Sequence, residues 1–259
     1  MQKLILTFWL AFSIASITSV AAASVAAPPE DISDTERKKI EHVLQQYLAT
    51  NPEIIETAII ELNRRRTLAQ MLPSIEMYRG YLENDPDAGV LGNPNGDVTI
   101  VEFFDYRCGY CRRHFGEVQR LVEADGNIRW IPRHYPILDR PNEEPTSFIA
   151  ARGAEAAHRQ GKFAEYHAAM MNREGGLSEE RVYEIAESIG LDIVKMKKDM
   201  ADRLLDKRIK NALAIGSDIG FTGTPGYIIG EDVILGAEGI HRLQQAVDRA
   251  RSSKVAQAQ

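Results

Sequence analysis

Only two thiols occur in the 259 residues of this chain, Cys108 and Cys111, with Gly109 and Tyr110 between them. A pair at this spacing can do several kinds of chemistry. It can exchange disulfides, because one ionised thiol attacks a sulfur and the second resolves the mixed disulfide. It can also supply half of a four-ligand zinc site or close a short structural disulfide. Zinc needs two more ligands, and only His114 is near in sequence. A structural bridge here closes so small a loop that it removes little entropy from the unfolded chain. Cu(I) held between two thiolates is a further reading. With no cysteine left over for structure, redox exchange fits best, and a disulfide-stapled scaffold is excluded.

Such a pair must be positioned by a strand that ends at the site and a helix that begins there. The run Val98-Thr99-Ile100-Val101-Glu102-Phe103-Phe104 is β-branched and aromatic and reads as a buried strand. Beyond it Cys111, Phe115, Val118 and Val122 share one helical face, with Arg112, Arg113, Glu117 and Arg120 on the other. Cys108 is therefore expected at a helix N-terminus. There the dipole and the free N–H groups of the first turn favour its thiolate and lower its pKa below the ~8.5 of a free thiol. Arg107, Arg112 and Arg113 place positive charge nearby in sequence. Cys111, one turn in and on the apolar face, is expected to be buried and poorly ionised. Glu102, the only ionisable residue of the strand, is the candidate base for it, since a carboxylate among such neighbours must stay protonated or find a partner. A half-exposed strand turning Glu102 to its polar face is the competing reading.

Met1 to Ala23 combine one Lys, an uncharged run and three alanines, the pattern of a secretory signal cleaved after Ala23. An uncleaved anchor is the alternative, and Ser13, Ser16, Thr18 and Ser19 make the run poorly apolar for one. Export to the periplasm is expected. The net charge of −6 falls to −7 once Lys3 leaves with the signal, which argues against a nucleic-acid partner. A hydrophobic content of 44% with 26% charged residues is that of a folded protein, and the mature length suggests one domain with an appendage.

The appendage is residues 24–90. A helix capped by Ser33 or Asp34 carries Ile40, Val43, Leu44, Tyr47 and Leu48, and a second begins after Asn51-Pro52 with Ile54, Ile55, Ala58, Ile59 and Leu62. Arg64, Arg65 and Arg66 follow as a solvated face. A third segment with Leu68, Met71, Leu72, Ile75 and Tyr78 is expected to kink at Pro73. This stripe packs either on its own chain or on copies of itself. Near-heptad recurrence and a Pro/Gly/Asn/Asp-rich linker from Asn84 to Asp97 favour a homo-oligomer, dimer or trimer, through residues 33–81. Later, Ile128–Ile131 reads as a strand interrupted by Pro132. Residues 146–216 read as helical, with breaks at Gly161, Gly175-Gly176 and Gly190. Two short strands then flank a Gly-Glu-Asp turn, and a last helix runs from Glu238 to Arg251. The expectation is an α/β domain over 91–252, with a helical insertion at about 140–216 and a flexible tail over 253–259.

The run Phe103-Phe104-Asp105-Tyr106-Arg107-Cys108-Gly109-Tyr110-Cys111, with Thr224-Pro225 ahead of a later strand, resembles the exported thioredoxin-fold oxidoreductases of the DsbA superfamily, and within it the ScsC-like and Com1-like branch. The resemblance covers about residues 90 to 252. It implies a thioredoxin-like fold with a helical insertion, attack by Cys108, resolution by Cys111, and a cis Pro225 that offers its backbone to substrate. The buried acid of that family lies six residues before the first cysteine, which is Glu102 here. Gly109, Tyr110, Thr224 and Pro225 are the expected substrate-binding residues. Thr224 is similar to the Thr of isomerase-like members, and Gly109-Tyr110 departs from the Pro-His of the strongest oxidases, which implies a milder oxidant.

The resemblance further implies no metal and no cofactor beyond a redox-active Cys108–Cys111 disulfide. Unfolded or misoxidised exported proteins and a membrane redox partner are the expected partners, and N-terminal helices that oligomerise match residues 33–81. A disulfide isomerase or reductase working as an oligomer is the expected function. A monomeric DsbA-like donor is the nearest alternative, and a Cu(I)-binding periplasmic protein the alternative from another class. His134, His158 and His167 share no ligand spacing and read as surface or satisfied core; Met170, Met171, Met196 and Met200 read as core packing. Tyr227 reads as strand packing or a substrate-facing ring.

Overall fold

The computed structural model describes residues 32–257, which fall into two units divided after Ile59. The signal expected over 1–23 lies outside the described residues. In the first unit, α1 (Asp34–Thr50) starts at Ser33, whose Oγ accepts from Glu36 N–H while Glu36 Oε2 accepts from Ser33 N–H. This reciprocal cap satisfies two donors that the helix start leaves free. No residue of α1 is buried. Its apolar stripe stays open, with Ile40 55%, Val43 64%, Leu44 53% and Tyr47 54% exposed.

The remaining elements are α2 (Glu53–Asn84), β1 (Leu91–Gly92), β2 (Val98–Phe104), α3 (Gly109–Asp125), β3 (Ile128–His134), α4 (Thr146–His158), α5 (Phe163–Asn172), α6 (Glu179–Ser188), α7 (Ile193–Met200), α8 (Arg203–Ile219), β4 (Gly226–Ile229), β5 (Asp232–Leu235) and α9 (Ile240–Gln257). The sheet order is β1-β3-β2-β4-β5, with β2 parallel to β3 and the other pairs antiparallel. Alternation along β2 sends Ile100 and Phe104 into one core with Cys111, Phe115 and Trp130, and Val101 and Phe103 into another with Met71, Ile75 and Ile215. Both faces of β2 are therefore covered.

Several expectations are corrected. The second and third N-terminal segments are one helix, α2, which continues through Pro73. Met71, Ile75 and Leu82 are buried on the sheet of their own chain, so Met71 and Ile75, expected to pair with copies of the chain as part of residues 33–81, pack within it instead. Arg133 fixes this end of α2: its guanidinium donates to Asp85 Oδ2 at 2.9 Å and to the carbonyls of Tyr81 and Leu82. The linker contains β1, a two-residue strand paired with β3. Pro132 does not interrupt β3, because β1 pairs only with Arg129 and Trp130; the edge beside Pro132 needs no N–H donor. The helical block breaks at the predicted glycines and once more before α8, where Asp202 accepts from Leu204 N–H. The tail expected over 253–259 is helical to residue 257.

Candidate active site

Cys108 is the N-cap of α3, at the turn that follows β2. Its backbone is extended, and its Sγ accepts from Cys111 N–H at 3.5 Å. As a thiol, Cys108 donates to the Thr224 carbonyl oxygen, 3.2 Å away. The Thr224–Pro225 peptide bond is cis, as the resemblance implies. Gly226 follows it in a tight place: a Cβ there would stand 2.4 Å from the Phe221 ring. Only glycine lets β4 leave Pro225 along this path.

The two thiols differ sharply. The Cys111 side chain, donating to Cys108 Sγ, brings the Cys108 pKa down to about 5 against the opposing effect of burial; the Thr224 side chain and the N–H groups of Cys111 and Tyr110 add to the lowering. Cys111 is wholly buried, and that burial pushes its thiol far above the ordinary range, with Cys108 and Glu102 pushing the same way. Cys108 is itself only 6% exposed. The neighbouring arginines are not among the main influences on the Cys108 thiol. Arg107 turns to Leu138 O and Asp139, Arg112 to the Met171 and Arg173 carbonyls, and Arg113 stacks over the Tyr110 ring. The charge of Cys108 is set instead by first-turn donors of its own helix and by Thr224.

Glu102 is 1% exposed, which removes the half-exposed reading. Burial raises its carboxyl to about 8, although Trp130 and Tyr227 each hold it down by donating hydrogen bonds. Trp130 Nε1–H reaches Oε2 at 2.9 Å and the Tyr227 hydroxyl reaches Oε1 at 3.2 Å. The sheet register makes these contacts. Tyr227 lies opposite Glu102 across β2 and β4, and Trp130 lies two residues before Pro132, the β3 partner of Glu102, on the same face. Among the described residues no group of three or more His, Cys, Asp and Glu side chains could hold a metal ion.

The structure thus brings Cys108, Cys111, Glu102, Thr224 and Pro225 together. Gly109 and Tyr110 stand at the rim, with the Tyr110 ring 63% exposed. Sequence reasoning missed Trp130 as a partner of Glu102 and missed His114, whose Nδ1 lies 2.8 Å from the Tyr227 hydroxyl. His114 follows Cys111 by three residues on α3, and that spacing was the available signal. His167 is fully buried, with its Nδ1 3.0 Å from the Tyr106 hydroxyl, and burial lowers its pKa to about 3. It is a neutral core residue.

A profile of the Thioredoxin family matches residues 84–249. A thioredoxin-like oxidoreductase of Silicibacter pomeroyi DSS-3 is 45% identical with a TM-score of 0.63, over 67% of this chain and 98% of that one. The thiol-disulfide exchange protein alpha-DsbA2 of Wolbachia pipientis is 29% identical with a TM-score of 0.64, over 71% of this chain and 97% of that one. A linker-deletion mutant of Proteus mirabilis ScsC shares the fold at 21% identity and a TM-score of 0.64, over 87% of this chain and 100% of that one. Among curated relatives, the Na(+)/H(+) antiporter NhaA 1 of Salinispora arenicola is 33% identical over 168 residues, 64% of this chain. The chain spans about a quarter of the length of the curated antiporters it matches.

Proposed function

The chain belongs to the Thioredoxin family, and from that premise we propose that it is an exported thiol–disulfide oxidoreductase of the DsbA/ScsC type, acting on disulfides of other exported proteins as an isomerase or reductase. The observation that carries this is the division between the two thiols: one ionised near neutrality at a helix N-cap, the other buried and neutral behind it. Cys108 attacks a substrate disulfide, forming a mixed disulfide and releasing one substrate thiolate. Cys111 then attacks Cys108 Sγ, closing the Cys108–Cys111 disulfide and releasing the second thiolate; in isomerisation the substrate's own thiol resolves the mixed disulfide instead. Glu102 is the base that relieves Cys111 of its proton. Substrate backbone docks at Thr224 and Pro225, with Gly109 and Tyr110 along the rim.

The isomerase reading is supported by Thr224, by Gly109-Tyr110 between the cysteines, and by the open apolar stripe of α1, which suits pairing of several copies around one substrate. Export rests on the signal pattern at 1–23, and a membrane partner would reset the pair. The antiporter activity of the curated relatives is not carried over, because the match covers only a quarter of their length. Refolding of a protein with scrambled disulfides tests the proposal. The chain starting at Ser24 is expected to catalyse it and the Cys108→Ala variant to lose all catalysis; equal rates for both would refute the assignment.

A further inference from the structure

Glu102 is sealed from solvent, so a proton it exchanges with Cys111 must travel through other side chains to leave the protein. Its Oε2 faces Trp130 Nε1–H, a donor that cannot accept, and that side is a dead end. Its Oε1 faces the Tyr227 hydroxyl at 3.2 Å, and the same hydroxyl lies 2.8 Å from His114 Nδ1. Beyond the imidazole, Nε2 stands 3.4 Å from Glu117 Oε2, on a side chain 39% exposed. His114 Nε2 is itself buried and makes no hydrogen bond among the described residues. Carboxyl, phenol, imidazole and carboxyl thus form one line from the buried acid to the surface of α3.

We propose that Tyr227 and His114 relay protons between Glu102 and the surface at Glu117 during each exchange cycle. This rests on the assignment of Glu102 as the base for Cys111. When Cys111 attacks Cys108 Sγ, the bond from Cys108 to the substrate sulfur breaks, its electron pair leaves on that sulfur, and the Cys111 proton passes to Glu102. Protonated Glu102 then donates to Tyr227, Tyr227 donates its own proton to His114 Nδ1, and His114 releases the Nε2 proton to Glu117 or the solvent beside it. The end state has Tyr227 donating to the Glu102 carboxylate and accepting from His114 Nδ1–H. In the reverse direction the same steps return a proton to the Cys111 thiolate.

The groups acting along the line are few. Burial keeps the imidazole below its ordinary range and Glu117 on the same helix opposes this; Glu102 and both cysteines act on Tyr227 from the other end. His114 is therefore neutral at rest and charged only in passing, as a relay requires. Tyr227 and His114 are positioning residues, since neither touches a reacting sulfur.

Rapid-quench mass spectrometry of the chain starting at Ser24 with a disulfide-bonded peptide separates formation of the mixed disulfide at Cys108 from its resolution by Cys111. In Tyr227→Phe and His114→Ala, formation is expected within about twofold of the parent, and resolution about tenfold slower or more. Added imidazole should restore resolution in His114→Ala in proportion to its concentration, which a packing role would not allow. In the parent, D2O should slow resolution and leave formation unchanged, a readout independent of how the variants fold. Parent-like resolution in Tyr227→Phe, a slow His114→Ala that imidazole does not relieve, or a parent whose resolution ignores D2O would each overturn the relay. A parent that forms no mixed disulfide at Cys108 would instead overturn the proposed exchange chemistry.

Discussion

Tyr227 lies directly opposite Glu102 in the antiparallel register of β2 and β4, and its hydroxyl donates to Glu102 Oε1 at 3.2 Å. The pair sets the character of the site. A carboxyl with both oxygens bonded, yet raised to about 8 chiefly by burial, changes its charge within the pH range in which a thiol exchange protein works. It can therefore hold a proton for Cys111 and also give it up.

A raised folded-state pKa makes Glu102 a pH-dependent cost. Its contribution to stability is fully present below the unfolded value near 4.5 and is lost as pH rises through about 8. Glu102→Gln removes this dependence. Urea unfolding of the reduced protein should show the variant gaining on the parent between pH 4.5 and 8, by a few kcal/mol at pH 9. A difference that does not change with pH would contradict the burial account.

Thr224 helps hold the Cys108 thiolate, and valine has the same shape without the hydroxyl. In Thr224→Val the Cys108 pKa is expected to rise, and alkylation of reduced Cys108 at pH 5 to slow by up to about tenfold, in step with the lost thiolate fraction. Iodoacetamide kinetics read by peptide mass spectrometry check this.

Ile75 is wholly buried between α2 and the sheet. Ile75→Ala should cost about 2–5 kcal/mol in urea unfolding, while the rate of Cys108 alkylation stays at the parent value. The core it enters is separated by β2 from the one holding Cys108.

Leu44 and Val43 belong to the open stripe of α1. If that stripe pairs with copies of itself, Val43→Asp with Leu44→Asp should reduce the mass measured by light scattering to that of one chain. Isomerisation of scrambled substrates should be lost and exchange with a small peptide disulfide retained. A single-chain mass for the parent would rule out pairing through α1.

The parts of this site that were legible in sequence depend on local spacing. Cys108 and Cys111 at a strand-to-helix junction, Glu102 inside an apolar strand, and the glycine breaks of the helical block all follow from runs of a few residues. What was not legible depends on register and on surfaces that meet from afar. The contact of Tyr227 with Glu102 joins residues 125 apart, and no local pattern fixes which residues of β2 and β4 stand opposite. The stripe of Met71 and Ile75 was visible, but a stripe does not name the surface that covers it. β1 leaves no mark in the sequence because two residues are too few to show alternation, and the tolerance of Pro132 depends on where β1 stops, which no local pattern gives. Arg107 and Arg112 are close to Cys108 in sequence but turn elsewhere in space, toward carbonyls and Asp139.

Cys108 and Cys111 are chemically unequal, and alkylation against pH reads that difference at each thiol. Reduced protein would be treated with iodoacetamide from pH 3 to 10, and each cysteine located by peptide mass spectrometry. Cys108 is expected to react with a midpoint near pH 5, while Cys111 stays unmodified throughout. A Cys108 midpoint near that of a free thiol, or modification of both cysteines together, would contradict it.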